Sequence, residues 1–269
     1  WSSDVCSSDL FFMGMFDYHC PKIENACLLA FQSYLQFKIE SALEKQMNHD
    51  LSTEEIEKLF ESTRNIIEEE LKEFNESKNL DAGLCLLKVY LTNNSVSVWN
   101  LGTNRAILGR SGKNQYCVDL SVDHRVTEKS ERNRILSLGG TIRTYINEEG
   151  ARLGIDRVFT ADGKYGLTAT RCLGNKAAQD SGLISTEPDI VHRTLSKGDS
   201  FIAVGTDGIW DQISSVKMAR ILNKIKLDRN DFEPQSHGPL LIGKARTKAL
   251  TRSSCTSAPR SPFTFTTVA

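Results

Sequence analysis

Two helical apolar stripes in succession, followed by a series of short strand-like runs, constrain this chain more than any other feature. From Pro21 onward, Ile23, Cys27, Ala30, Phe31, Tyr34, Leu35, Ile39, Ala42 and Leu43 recur at the spacing of one helix face, with the proline where a first turn tolerates it. Ser52-Thr-Glu-Glu55 has the pattern of a capping box, and Ile56, Leu59, Phe60, Ile66, Ile67, Leu71 and Phe74 then line one face opposite acidic residues. The period changes after that. Leu84–Leu91 and Val96–Trp99 are β-rich runs around Asn93-Asn94, a tight-turn signal, and Ala106–Leu108 and Tyr116–Leu120 extend the meander. Glu128–Leu138 reads as a helix stopped by Gly139-Gly140, Thr141–Ile146 and Ser200–Val204 as strands, and Ser214–Lys226 as a closing helix. Ahead of all this, Phe11–Phe16 is a short apolar run, expected to be a buried strand that ends at Asp17. Stripes of this kind need a common surface to cover. The expected class is therefore α+β, two packed antiparallel sheets with the helices at 22–48 and 54–74 paired on one outer face.

The two ends read differently from the middle. Residues 1–10 show no periodicity, no basic region and no apolar core of a signal peptide, and resemble a translated adapter read; they are expected to be artefact or disordered. After Glu233 the acidic residues stop, while Lys244, Arg246, Lys248, Arg252 and Arg260 remain among Ser, Thr and four of the six prolines. Residues 227–269 are accordingly expected to be a disordered or aberrant basic tail, leaving 11–226 as the folded domain. A formal net charge of -1 gives no bulk electrostatic case for nucleic acid or membrane partners. No apolar run approaches the roughly 20 residues of a membrane-spanning helix. Seven cysteines form no CxxC pair, which points to reduced, buried thiols and an intracellular chain, cytoplasmic or nuclear.

Chemistry is expected where acidic residues follow apolar strands, at Phe16-Asp17-Tyr18-His19 and Val204-Gly205-Thr206-Asp207-Gly208. Carboxylates on such loops could converge on a hard cation, and a nearby histidine could protonate a leaving oxygen. From local chemistry alone, a turn-forming Asp is the more common role for Asp-Gly.

The order of segments adds to this. Phe11-Phe-Met-Gly-Met-Phe-Asp-Tyr-His19 resembles the phosphatase 2C pattern FFGVFDGHGG, and Trp99–Leu108 resembles its ANxGDSRAVL. Leu120-Ser-Val-Asp-His124, with Glu131–Ile135 and Gly139-Gly140, is similar to LSxDHxP…ExxRIxxxGG. Gly166–Asn175 is similar to LAVTRALGD, Glu187-Pro-Asp-Ile190 to the following xPE step, and Asp199–Asp211 to DxFLILASDGLWD. The resemblance implies a four-layer αββα sandwich with a two-metal site at one end, at which a metal-bound hydroxide attacks phosphoserine or phosphothreonine. It implies Asp17 and Asp207 as metal positions, Tyr18 as a backbone-carbonyl ligand and His19 as the general acid. Mg or Mn would be the cofactor, a phosphoprotein or another protein the partner, and the chain a monomer.

The departures from that pattern carry their own expectation. The family's upstream Arg and Glu-Asp pair and its final Asp-Asn strand have no counterpart here, and Asp228 and Asp231 come too soon after the last helix to replace it. Tyr18 and Cys20 replace glycines, Thr103 replaces the Asp of GDSR, Asn175 replaces the Asp of LGD, and Ala82-Gly-Leu-Cys85 stands for GSTA. At most one weakly held ion is expected, and with it a weak or inactive phosphatase-like domain that acts by binding protein. The alternative is a working Mg- or Mn-dependent serine/threonine phosphatase.

Overall fold

The structure, a computed structural model, describes residues 11–19, 25–43, 51–92, 94–110, 117–159, 166–228 and 266–268. In chain order the elements are β1 (Phe11–His19), α1 (Asn25–Leu43), α2 (Thr53–Lys78), β2 (Gly83–Leu91), β3 (Ser95–Leu101), β4 (Arg105–Arg110) and β5 (Cys117–Asp119). Then come α3 (Lys129–Ser137), β6 (Thr141–Ile146), β7 (Arg152–Phe159), β8 (Gly166–Leu167), β9 (Leu173–Gly174) and α4 (Lys176–Asp180). The last are β10 (Asp189–Thr194), β11 (Asp199–Gly205), α5 (Asp207–Trp210), α6 (Ser215–Asp228) and β12 (Thr266–Val268).

Every ladder between these strands is antiparallel. The first sheet runs β1-β2-β3-β10 with β9 beside β2, the second runs β12-β11-β4-β5, and β6-β7-β8 form a third. Side chains alternate across β2, and that alternation builds the layers. Leu87 and Val89 face Ala106, Leu108, Ile202 and Val204 of the second sheet. Leu84, Leu86 and Tyr90 face the other way, under Phe31, Leu35 and Ile39 of α1 and Ile56, Leu59, Phe60, Ile67 and Leu71 of α2. On the far side, Ile107, Phe201 and Ala203 pack against α5 and against Met218, Ala219 and Leu222 of α6. The result is helix, sheet, sheet, helix, the α+β sandwich expected from the sequence. The paired helices α1 and α2 form one outer layer, on the first sheet.

Local chemistry explains where the elements start and stop. Ser52 Oγ accepts from the Glu55 backbone N–H at 3.3 Å, and Glu55 Oε2 accepts from the Ser52 N–H at 2.8 Å, so the capping box closes in both directions. Helix α3 ends where Gly139 takes φ +77°, as the Gly-Gly pair predicts.

Three expectations need correction. Strand β1 does not end at Asp17 but continues to His19, because its pairing with β2 runs on to His19 opposite Gly83. Ala30 and Tyr34 are exposed, because only the Phe31, Leu35, Ile39 row of α1 reaches the shared core. Strands β7 and β10 were not anticipated. Pro21, Ile23 and 44–48 lie outside the described residues. Within the carboxy-terminal segment, β12 pairs with β11, Val268 opposite Ile202. No helix of the described residues is long and apolar enough to cross a membrane.

Candidate functional site

One end of the sandwich gathers several of the acidic and polar residues singled out in the sequence. Asp17 lies opposite Cys85 in the β1–β2 register and is buried, at 5 % exposure. Cross-strand partners share a face, so Asp17 looks toward the second sheet with Cys85, not toward the helices. At the same end β3 turns into β4 through Gly102, Thr103 and Asn104, and Cys85 Sγ lies 3.7 Å from Thr103 Oγ1. Gly102 has φ +114°, and a Cβ there would stand 2.2 Å from Cys85 Sγ, so the turn requires glycine twice over. Strand β11 pairs with β4, Gly205 opposite Arg105, and the chain then enters α5 at Asp207. Topology thus directs Asp17, the Thr103 turn and Asp207 to one end of the two sheets.

The charges there are paired with each other. Arg105 grips Asp123 with both arms, Nε to Oδ1 at 2.7 Å and Nη2 to Oδ2 at 2.8 Å. It also donates to Ser215 Oγ at 3.2 Å and lies over the Trp210 ring at 5.4 Å. Arg125, only 7 % exposed, lies among three carboxylates. Its Nη1 is 2.8 Å from Asp211 Oδ1, its Nη2 is 3.6 Å from Asp207 Oδ2, and its Nε is 3.5 Å from Asp123 Oδ2. Burial pushes the Asp211 carboxyl up from its ordinary range; Arg125 opposes this, while the neighbouring Asp207 and Asp123 charges add to it.

Behind this lies a network of polar side chains. His124 Nδ1 accepts from the Gly102 N–H at 2.9 Å, and its Nε2 is 3.1 Å from Asp189 Oδ2. Burial and the nearby Arg171 charge hold this imidazole below its usual pKa. Arg171 also reaches Asp189 Oδ1 at 3.0 Å, and donates to Glu131 Oε1 from Nε at 3.0 Å and from Nη2 at 2.7 Å. Glu131 is buried and accepts further from Thr170 Oγ1 at 2.5 Å and Arg134 Nη2 at 2.9 Å. Burial alone would raise its pKa, but Arg171, Thr170 and Arg134 bring it down to about 2. The chain Glu131, Arg171, Asp189, His124 thereby fixes the Gly102 turn beside Thr103.

Of the positions expected from the sequence, Asp17 is buried on the inner sheet face and Asp207 opens α5 beside Arg125. Tyr18 and His19 lie in β1 opposite Leu84 and Gly83, and their side chains fall outside the described residues. Thr103 is fully buried against Cys85, leaving that wall uncharged. Asn175 takes the left-handed conformation, φ 48°, that asparagine tolerates best after glycine. Its Nδ2 donates to Asp81 O at 2.7 Å and its N–H to Ala82 O at 3.1 Å, so it clamps the start of β2. Among the described residues, no three His, Cys, Asp or Glu side chains stand together as a metal-binding group. Sequence reasoning missed Arg105, Asp123, Arg125, Glu131, Arg171 and Asp211 as partners. Apart from Asp123–Arg125 and Glu131–Arg134, their pairings join segments far apart in the chain, which no local pattern signals.

The comparisons agree with this architecture. The protein phosphatase 2C family model matches residues 27–249. "Probable protein phosphatase 2C 65" of Arabidopsis thaliana is 29% identical over 241 residues, covering 84% of this chain and 62% of that protein. "Probable protein phosphatase 2C 27" of Oryza sativa subsp. japonica is 33% identical over 153 residues, covering 57% of this chain and 40% of its own length. The chain spans less than two thirds of the length of these curated relatives. Among solved structures, the serine-threonine phosphatase 2C of Toxoplasma gondii superposes with TM-score 0.68 at 19% identity, covering 96% of this chain and 84% of the other. A sex determining protein of C. elegans gives the same TM-score at 16% identity, covering 96% and 56%. These two carry the fold, and the family model carries the kinship over most of the sequence: the chain belongs to the protein phosphatase 2C family.

Proposed function

We propose that this phosphatase 2C-type domain binds phosphoserine- or phosphothreonine-bearing protein and hydrolyses it weakly or not at all. The observation that carries this reading is Thr103. It is fully buried against Cys85, the residue opposite Asp17, so it places a neutral hydroxyl where the family pattern has a carboxylate. Two dications about 4 Å apart repel by about 15–17 kcal/mol at an effective dielectric of about 20, and several carboxylates must offset that. Asp17 and Asp207 are the two matched carboxylate positions, and Asp207 already faces a guanidinium. One Mg or Mn ion held weakly through Asp17, the Tyr18 carbonyl and Asp207 is compatible with this balance, with His19 as the proton donor for any residual turnover.

A working Mg- or Mn-dependent phosphatase is the second reading, favoured by the direction of Asp17 and Asp207 to one end of the sandwich. Hydrolysis of a phosphoserine peptide in millimolar Mn²⁺ separates the two. Turnover near background, and abolished in Asp17→Ala and Asp207→Ala, supports the first. Robust Mn²⁺-dependent turnover lost in both variants would establish the second. Loss of one preorganised charge-stabilising group commonly costs about 10²–10³ in rate, so several together leave little.

A further inference from the structure

Arg125 is placed for charge more than for hydrogen bonding. Its guanidinium makes one short contact, 2.8 Å from Nη1 to Asp211, while Nη2 and Nε stop at 3.6 Å from Asp207 and 3.5 Å from Asp123. Nε and Nη2 are buried and have no hydrogen-bond partner among the described residues. A guanidinium normally directs its planar fork onto one carboxylate, as Arg105 does on Asp123. Arg125 instead stands between carboxylates from the 120–125 loop and from both ends of α5, and satisfies none of them with two bonds. Arg125 approaches both Asp211, at 2.8 Å, and Asp207, at 3.6 Å.

We propose that Arg125 is a built-in counter-cation that occupies the space of a divalent ion at Asp207 and Asp211 and competes with any such ion for Asp207. The inference rests on the reading of Asp207 as a cation-binding position. It goes beyond that reading by naming a residue of this chain that lowers the affinity. Arg125 ties the two ends of α5 to the loop before α3. Withdrawing its charge leaves an acidic pair that recruits Mn²⁺.

The test is Mn²⁺ binding by calorimetry on EDTA-stripped full chain, with thermal stability read in parallel. Arg125→Met is expected to bind Mn²⁺ about tenfold or more tightly than the parent, a difference of about 1.4 kcal/mol. Arg125→Lys, which keeps the charge, stays close to the parent, and Arg125→Met/Asp207→Asn loses the gain. Equal affinity in Arg125→Met and parent overturns the proposal, as does a gain that survives Asp207→Asn. If Arg125→Met does not fold in EDTA, recovery of soluble protein by Mn²⁺ supports the proposal, and equal insolubility with and without the ion overturns it. Because the readout is binding, a highly active parent would sink the proposed function without touching this comparison.

Discussion

Glu131 accepts hydrogen bonds from three side chains, and its acidity makes it a reporter of the network behind the site. Its folded pKa of about 2 lies below the ordinary value of 4.5. The unfolded chain therefore binds the proton more readily, and the stability Glu131 contributes is complete above about pH 4.5 and lost as pH falls toward 2. Glu131→Gln should cost about 3 kcal/mol near neutral pH, because Arg171 and Arg134 are left facing a neutral amide. Chemical denaturation of parent and variant at several pH values checks this: the gap should narrow in acid, and a gap independent of pH contradicts the ionised assignment. Gly102→Ala tests the turn. Strained φ and the approach to Cys85 each cost about 1–3 kcal/mol, so a fall in stability of at least about 2 kcal/mol is expected, measurable by the denaturation midpoint. At this scale the sequence is half legible. Asp17 and Asp207 could be picked out because each follows an apolar strand, whereas Arg125 and Glu131 acquire their roles only when strands and loops far apart in sequence are brought together.

Helices α1 and α2 stabilise the domain by covering the outer face of the first sheet. Phe60 is fully buried among Trp99 and its neighbours, with ring centroids 6.1 Å apart, and Phe60→Ala should cost about 3–5 kcal/mol. Ser52→Ala should cost only about 1 kcal/mol, since the cap is exposed and one N–H is lost to water. Thermal unfolding of the two variants should rank them in that order, and a larger loss for Ser52→Ala would contradict the packing account. The elements that were readable in the sequence are those whose burial is one-sided and periodic. The α2 face, the runs of β2 and β3, and the Gly139 stop all have such signals. Strand β10 is an edge strand with exposed side chains, Ile190 and Val191 included, so it lacks the alternation that burial imposes. Strand β7 interleaves Arg152, Asp156 and Arg157 with a left-handed Gly154, which hides its period. The continuation of β1 past Asp17 was equally invisible, since Asp, Tyr and His read locally as a loop.

At the scale of the whole molecule, the sandwich carries Asp17 and Asp207 on different sheets and brings both to one end. The fold depends on apolar alternation and survives the loss of individual charges. A metal centre depends on each carboxylate, and here one wall is Thr103 while Asp207 is shared with Arg125. The proposed function requires that this chain hold at most one dication weakly. Counting Mn²⁺ bound to the metal-stripped full chain, by the loss of the free-ion electron paramagnetic resonance signal during titration, tests it directly. The account predicts at most one equivalent, with a dissociation constant on the order of 10⁻⁴–10⁻³ M, the range of sites with few charged ligands. Two equivalents bound at micromolar concentration would contradict it.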